Sequence, residues 1–195
     1  MGRLRVVGGS LRGRKLDVPD HGVRPTSERA REAIFDILGP ARVSEASVLD
    51  LYAGSGALGV EALSRGAARA DFVERDPAVA RLLRENLATL GVSNRGRVSI
   101  ADLDRGELPA ELKGPWNLVF LDPPYAGEGG TRWLERLPRL DWPAGGGLIV
   151  YEHRSGIEIP PPPGLTLAVE RAYGDTAVSI YRAGGPPAPA ERGAS

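Results

Sequence analysis

Asp50-Leu51-Tyr52-Ala53-Gly54-Ser55-Gly56-Ala57-Leu58-Gly59 decides the fold. It leaves a short apolar run, Ser47–Ala53 (SVLDLYA), which reads as a buried strand, and enters a helix over about 57–65. Between the two, Gly54-Ser55-Gly56-Ala57-Leu58-Gly59 has G-x-G-x-x-G spacing in the strand–turn–helix setting that gives the spacing meaning. Gly54 and Gly56 let the backbone turn sharply and let a ligand approach closely. Glu74 stands 20 residues after Gly54, at the expected end of a second strand, Ala70–Glu74. A carboxylate there accepts hydrogen bonds from a ribose diol, so the combination points to an adenosine-type ligand rather than a merely tight turn.

Outward from this motif the alternation continues. Residues 77–90 read as a second helix, with Val79, Leu82, Leu83, Asn86, Leu87 and Leu90 on one broad face. Arg97–Ala101 reads as a third strand, Trp116–Leu121 as a fourth, Trp133–Leu137 as helical and Leu148–Glu152 as a fifth strand. Two more apolar runs, Thr166–Val169 and Ala177–Tyr181, flank Gly174-Asp175 with no room for a crossover helix, so they form an antiparallel hairpin. The fold class is α/β: a doubly wound, Rossmann-like sheet of seven strands ending in an antiparallel pair. Before it, Leu4–Val7 and Arg14–Val18 alternate around Gly8-Gly9-Ser10 and read as a small β-hairpin. Pro25 breaks that unit, Thr26-Ser27 offer a helix cap, and residues 28–38 have amphipathic helical spacing stopped by Gly39-Pro40. The expected organisation is a basic extension over 1–25, a main domain over 26–182 and a disordered Pro/Gly/Ala tail over 183–195.

Composition narrows the function classes. The 195 residues are 42% apolar and 26% charged, ordinary for a soluble globular protein. With no cysteine, disulfides, thiolate metal sites and a Cys nucleophile are excluded. His21 and His153 lie far apart, so no metal centre is expected. No apolar run reaches the ~18 residues that span a membrane. Arg3 and Arg5 are followed by glycines and Arg12 where a signal peptide needs an apolar stretch, so the expected location is the cytoplasm. The net charge of zero is unevenly placed. Residues 1–31 hold eight basic residues against three acidic ones, net +5, and the remainder holds 17 against 22, net −5. A basic arm on a mildly acidic body suits a polyanionic partner; a solvated strand with scattered arginines is the plainer reading.

Two motifs carry chemistry. The glycine motif alone does not separate a dinucleotide from S-adenosylmethionine (SAM). Asp50 favours SAM, because a carboxylate just before the glycines can meet the cationic amine of the methionyl part and would sit badly beside a pyrophosphate. The competing reading of Asp50 is a loop-bracing or helix-capping acid. The second motif, Asp122-Pro123-Pro124-Tyr125, follows the fourth strand and therefore faces the crevice beyond the strands' carboxyl ends. An exocyclic amine on a base is a poor nucleophile, its lone pair being delocalised into the ring. Asp122 can accept one of its N–H groups and the Pro123 carbonyl the other. The two prolines hold that carbonyl rigidly, and Tyr125 offers a ring on which a flipped base stacks.

At this point the chain resembles a known family. Asp122-Pro123-Pro124-Tyr125 after the glycine loop is similar to amino-group methyltransferases acting on nucleobases. The stretch Arg5–Leu16, then Arg24-Pro25-Thr26 with Arg29, Glu32 and Phe35, then Asp50–Gly59 and Glu61-Ala62-Leu63-Ser64-Arg65-Gly66 resembles the RsmD family of bacterial 16S ribosomal RNA (guanine-N2)-methyltransferases, over about residues 3–182. The resemblance implies SAM as cofactor and 16S rRNA in an assembled small subunit as partner; no metal is expected, and nothing in the sequence demands more than a monomer. It implies that Asp50, Ala53, Gly54, Ser55 and Gly56 line the methionyl end of SAM. Glu74 would hold the ribose, Asp102 the adenine amine, and Leu103 the ring. A solvent-facing loop acid is the competing reading of Asp102. Asp122, Pro123, Pro124 and Tyr125 would form the amine site. The charge of the hairpin suits Arg5, Arg12, Arg14 and Lys15, with Arg24 and Arg29, to contact with RNA phosphates. Arg24, Thr26 and Arg29 would order the SAM or RNA side of the pocket, with a structural role an equal alternative. An adenine-N6 methyltransferase on RNA or DNA shares the Asp-Pro-Pro-Tyr logic; the small size, with no separate target-recognition domain expected, argues against a sequence-specific DNA enzyme.

Overall fold

The computed structural model describes residues 2–19, 28–106, 108–124, 129–140, 142–143 and 146–183. The tail beyond 183, Arg24, Pro25, the Thr26-Ser27 cap and Tyr125 lie outside the described residues. The chain begins with β1 (Gly2–Arg5) and β2 (Lys15–Val18), an antiparallel pair with Leu4 opposite Leu16. Helices α1 (Glu28–Leu38) and α2 (Pro40–Val43) follow. Then come β3 (Ser47–Leu51), α3 (Ala57–Ser64), β4 (Arg69–Glu74), α4 (Pro77–Leu90), β5 (Gly96–Ile100) and β6 (Leu118–Leu121). The chain continues with α5 (Gly129–Arg136), β7 (Gly147–Arg154), β8 (Leu165–Tyr173) and β9 (Thr176–Ala183).

The seven strands of the main sheet run in the order β5-β4-β3-β6-β7-β9-β8. Strands β3 to β7 are mutually parallel, and β9 is antiparallel to both neighbours. The expected seven-stranded sheet with its antiparallel end is therefore present. The central strands are largely apolar because both faces are covered, with Asp50 in β3 and Asp71 in β4 as buried exceptions. All four residues of β6 are buried. On one face Val48, Phe72, Phe120 and Val150 meet Ile34 and Phe35 of α1, Leu63 of α3 and Leu83 and Leu87 of α4. On the other, Leu49, Leu51, Val119 and Leu121 pack with Trp116 and with Trp133 and Leu134 of α5.

Local signals place most boundaries. Asp76 caps α4 by accepting from the Ala78 and Val79 amides, Pro77 opens the helix and Gly91, at φ 74°, closes it. At Gly39-Pro40 the outcome differs from expectation. Leu38 does end α1, but Gly39 turns at φ 70° and Pro40 starts a new helical turn rather than a loop. A proline whose N–H needs no partner fits a first helical position.

The N-terminal hairpin is docked rather than free. Val6 and Leu16 are fully buried. Glu61 of α3 accepts the amides of Val7 at 2.8 Å and Gly8 at 2.7 Å. Asn86 of α4 accepts the Asp17 amide and donates back to the Asp17 carbonyl, both at 2.9 Å, which mimics a strand partner. Ser64 accepts the Leu11 amide at 2.9 Å. Arg31, counted in the basic arm on charge, has no exposed surface: it faces Glu61 at 3.9 Å and donates to the Arg5 carbonyl at 2.8 Å. Burial lowers its pKa and Glu61 opposes that shift. Arg31 is thus part of the seam, and the basic charge available to a partner is smaller than the sequence count.

Candidate active site

Strand order positions the site. After β3 the chain runs outward through β4 and β5, then returns to place β6 on the other side of β3. In open α/β sheets the crevice at such a reversal, beyond the carboxyl ends of the strands, takes the ligand. The β3–β6 register sets Leu51 opposite Leu121. The next residues, Tyr52 and Asp122, therefore start the two loops that bound one crevice. The glycine motif and Asp-Pro-Pro, 66 residues apart from Gly56 to Asp122, become neighbours here.

On the β3 side the chain turns immediately. Tyr52 has φ 59°, unusual for a residue with a side chain, and Gly54 and Gly56 follow at 54° and 83°. Gly56 starts α3 in the left-handed region, where a Cβ would collide with Leu83 of α4. The Gly56 amide donates to the Ala53 carbonyl at 2.8 Å, closing the turn. Ala53 is buried, and its amide donates to the Val73 carbonyl of β4 at 3.0 Å. Buried Ser55 is held by its carbonyl, which accepts from Asn86 at 3.3 Å.

Asp50 lies beneath this loop and is 2% exposed. One of its carboxylate oxygens accepts the Gly59 amide at 2.9 Å, so the acid does brace the first turns of α3. Burial pushes its pKa up to about 8; the Gly59 hydrogen bond opposes the shift and the nearby Glu74 charge adds to it. Glu74, at the end of β4, accepts the Gly54 amide at 2.9 Å and the Asp76 amide at 2.8 Å on separate oxygens. Each oxygen keeps a second lone pair, so bracing the loop leaves the carboxylate able to accept hydroxyl groups. This donor set fits SAM. A poorly compensated buried carboxylate suits an ammonium group, and a rim carboxylate suits a diol.

Beyond β5, Asp102 is partly exposed; it accepts the Asp104 amide at 3.1 Å and faces Arg105 at 3.5 Å. Leu103 is buried in the core formed with α5, and its carbonyl accepts the Trp133 indole N–H at 2.8 Å. On the β6 side Asp122 is partly buried, Pro123 buried and Pro124 exposed. Of the arm residues, Arg5, Arg12, Arg14, Lys15 and Arg29 are exposed on or beside the hairpin. Arg14 is also committed locally, donating to the Thr89 carbonyl at 2.8 Å.

Two groups escaped the sequence reading, one in the hairpin seam and one at the crevice. Arg31, with Ile34, Phe35 and Leu38, follows the apolar face of α1, and that periodicity was the available signal. The contact between Tyr52 and Asp104, whose hydrogen bond measures 2.9 Å, had no signal, since its partners are 52 residues apart on different loops.

Known proteins resemble this chain over nearly its whole length. Ribosomal RNA small subunit methyltransferase D of Escherichia coli (strain K12) is 40% identical over 183 residues, covering 93% of this chain and 90% of that protein. The protein of the same name from Haemophilus influenzae is 34% identical, covering 93% and 94%. The solved structure of the Escherichia coli protein yhhF is 40% identical with a TM-score of 0.80, covering 93% of this chain and 98% of that one. The family model described as Conserved hypothetical protein 95 matches residues 4–182. With most of the hairpin, the glycine loop and the Asp-Pro-Pro loop inside that span, the chain belongs to the RsmD methyltransferase family.

Proposed function

We propose that this chain methylates the exocyclic N2 of one guanine in 16S rRNA of the small ribosomal subunit. The observation that carries the reading is the β3–β6 register, which brings the glycine loop and Asp122-Pro123-Pro124 to one crevice. Family membership supports rRNA as the substrate class, and the relatives named for the small subunit support the particle. Among the described residues no helix is long and apolar enough to cross a membrane.

SAM supplies a methyl group already activated on a sulfonium. The chain therefore has to position rather than activate, and positioning can remove most of such a barrier. Asp50 holds the ammonium end, with Ala53, Gly54, Ser55 and Gly56 along the methionyl part. Glu74 accepts from the ribose and Asp102 from the adenine amine, with Leu103 behind the ring. Across the crevice Asp122 and the Pro123 carbonyl accept the two N–H groups of the guanine amine, drawing the nitrogen toward tetrahedral geometry and aiming its lone pair. Pro123 and Pro124 keep that carbonyl in place, and Tyr125 provides the stacking face for the flipped base. Asp122 takes the amine proton once N–C bond formation has made it acidic. Arg5, Arg12, Lys15 and Arg29, with Arg14 and Arg24, grip RNA phosphates, a contact that weakens steeply with salt. RNA is read by shape and by splayed single-stranded bases, which suits a monomeric enzyme working on an assembled cytoplasmic particle.

The test is transfer of labelled methyl from SAM to small subunits purified from cells lacking this enzyme, followed by nucleoside mass spectrometry. A single N2-methylguanosine in 16S rRNA is the expected product. Methyladenosine would change the target base, and label in protein would overturn the rRNA assignment.

A further inference from the structure

We propose that Tyr52 and Asp104 are positioning residues for methyl transfer, a hydrogen-bonded pair that sets the separation between the glycine loop and the Asp122-Pro123-Pro124 loop. The inference rests on the function proposed above and assigns to it two residues outside both motifs.

The backbone gives the first observation. Tyr52 occupies the left-handed region at φ 59°, where a side chain costs on the order of 1 kcal/mol. The turn throws its ring across the strand ends. The ring is partly buried against the core that includes Leu51, Leu103 and Trp133. Packing of that kind needs only an aromatic ring. The hydroxyl is what reaches further, donating to Asp104 Oδ1 at 2.9 Å in the loop after β5. Burial first, and the Asp104 hydrogen bond next, raise the hydroxyl's pKa, so it stays a donor throughout the working pH range.

Asp104 is where four parts of the rim converge. Its other carboxylate oxygen lies 3.6 Å from Arg75, just past β4. Its carbonyl accepts from Arg132 of α5 at 2.7 Å, and its amide donates to Asp102 at 3.1 Å. The pair therefore ties the loops after β3, β4 and β5 to α5.

Helix α5 then carries the restraint to the acceptor side. A Cβ on Gly129 would overlap both Asp104 Oδ1 and the Tyr52 hydroxyl oxygen. A Cβ on Gly130 would overlap Pro123 and the Tyr151 hydroxyl. The first turn of α5 is thus wedged between the Tyr52–Asp104 pair and the Asp-Pro-Pro loop, touching both through bare backbone. Ala53–Gly56 follow Tyr52 directly, and Pro123, in the middle of the Asp-Pro-Pro loop, meets α5 at Gly130 from the other side. Lengthening one hydrogen bond would let the donor and acceptor loops drift, and reaction rates fall steeply with such displacement.

The experiment measures methyl transfer to the same small subunits, SAM binding by calorimetry and thermal melting for Tyr52→Phe, Asp104→Ala, Asp104→Asn and the double variant Tyr52→Phe/Asp104→Ala. Expected is a kcat loss of about ten-fold for Tyr52→Phe, the size a hydrogen bond to a charged group supports. KM and Kd for SAM should stay within about two-fold, and melting should fall by no more than a few degrees. Asp104→Ala should lose as much and the double variant no more than either. Asp104→Asn, which keeps an acceptor oxygen, should fall between wild type and Asp104→Ala. A Tyr52→Phe kcat within two-fold of wild type would overturn the proposal, as would additive losses in the double variant or a loss fully explained by weaker SAM binding. A wild-type protein that binds SAM and methylates nothing would instead remove the reading on which the pair depends.

Discussion

The seam beneath the hairpin and the crevice beyond β3 each contain a buried carboxylate, and the two are satisfied very differently. Glu61 has no exposed surface, accepts the Val7 and Gly8 amides and the Arg65 guanidinium, and faces Arg31. Asp50, equally buried, has the single Gly59 amide among the described residues, and its pKa is pushed up to about 8. A carboxylate surrounded by donors is scaffold. One short of partners keeps its proton to higher pH, and an incoming cation can displace that proton. The contrast separates the part of the chain that fastens the hairpin from the part proposed to take the ligand, although Glu61 and Asp50 are only 11 residues apart.

The largest expected effect lies across the crevice from Asp50, at Asp122. Asp122→Ala should lower turnover by roughly 10³-fold while sparing SAM affinity, as measured by single-turnover kinetics and calorimetry. Near-normal turnover would end its assignment to the amine. Next, Glu61→Gln should destabilise the protein by about 3–5 kcal/mol, because it leaves Arg31 buried without a counter-charge. Thermal melting reads this, and a negligible shift would erase the contrast with Asp50.

Asp50→Asn should behave oppositely. The folded-state pKa of Asp50 lies above its unfolded value, so between about pH 4 and 8 the native state binds the extra proton. Its contribution to stability is present at low pH and declines as pH rises toward 8. The neutral variant should therefore melt no lower than wild type at pH 8.5. Its SAM affinity should fall roughly ten- to hundred-fold. In the wild type, SAM affinity should rise from pH 6 to 7.5, as binding expels the Asp50 proton while the ligand amine, with a reference pKa near ~7.7–8.0, stays charged. A flat profile would return Asp50 to the role of loop brace alone. Smallest, Arg12→Glu/Lys15→Glu should reduce the salt slope of RNA binding by roughly one per lost phosphate contact and leave SAM binding unchanged. Filter binding across a salt series checks this.

Legibility followed the range of the interaction. Helix α4 was readable to the residue, because Asp76, Pro77 and Gly91 act within one turn of the ends they mark. The turn Pro40–Val43 was not, since a proline after a glycine serves equally as a stop and as a first helical residue. Helix α5 starts at Gly129, four residues before its first apolar anchor, Trp133. Two glycines give a weak helical signal, and here they are required by contact with Asp104, Tyr52 and Pro123. The charge count treated Arg31 like its neighbours, because formal charge carries no information about burial.

The sequence by itself determined the α/β class, the order of strands and helices, the glycine loop with Asp50 and Glu74, and the acceptor loop Asp122-Pro123-Pro124. Each of these is written in short-range periodicity, turn chemistry or local motif spacing. Only the tertiary structure decided which carboxylates are satisfied, that the basic hairpin is fastened through Glu61 and Asn86, and that Tyr52 reaches Asp104 across the rim. Those outcomes depend on contacts between residues some 50 to 70 positions apart, where burial and hydrogen bonding are set by the packing of whole elements.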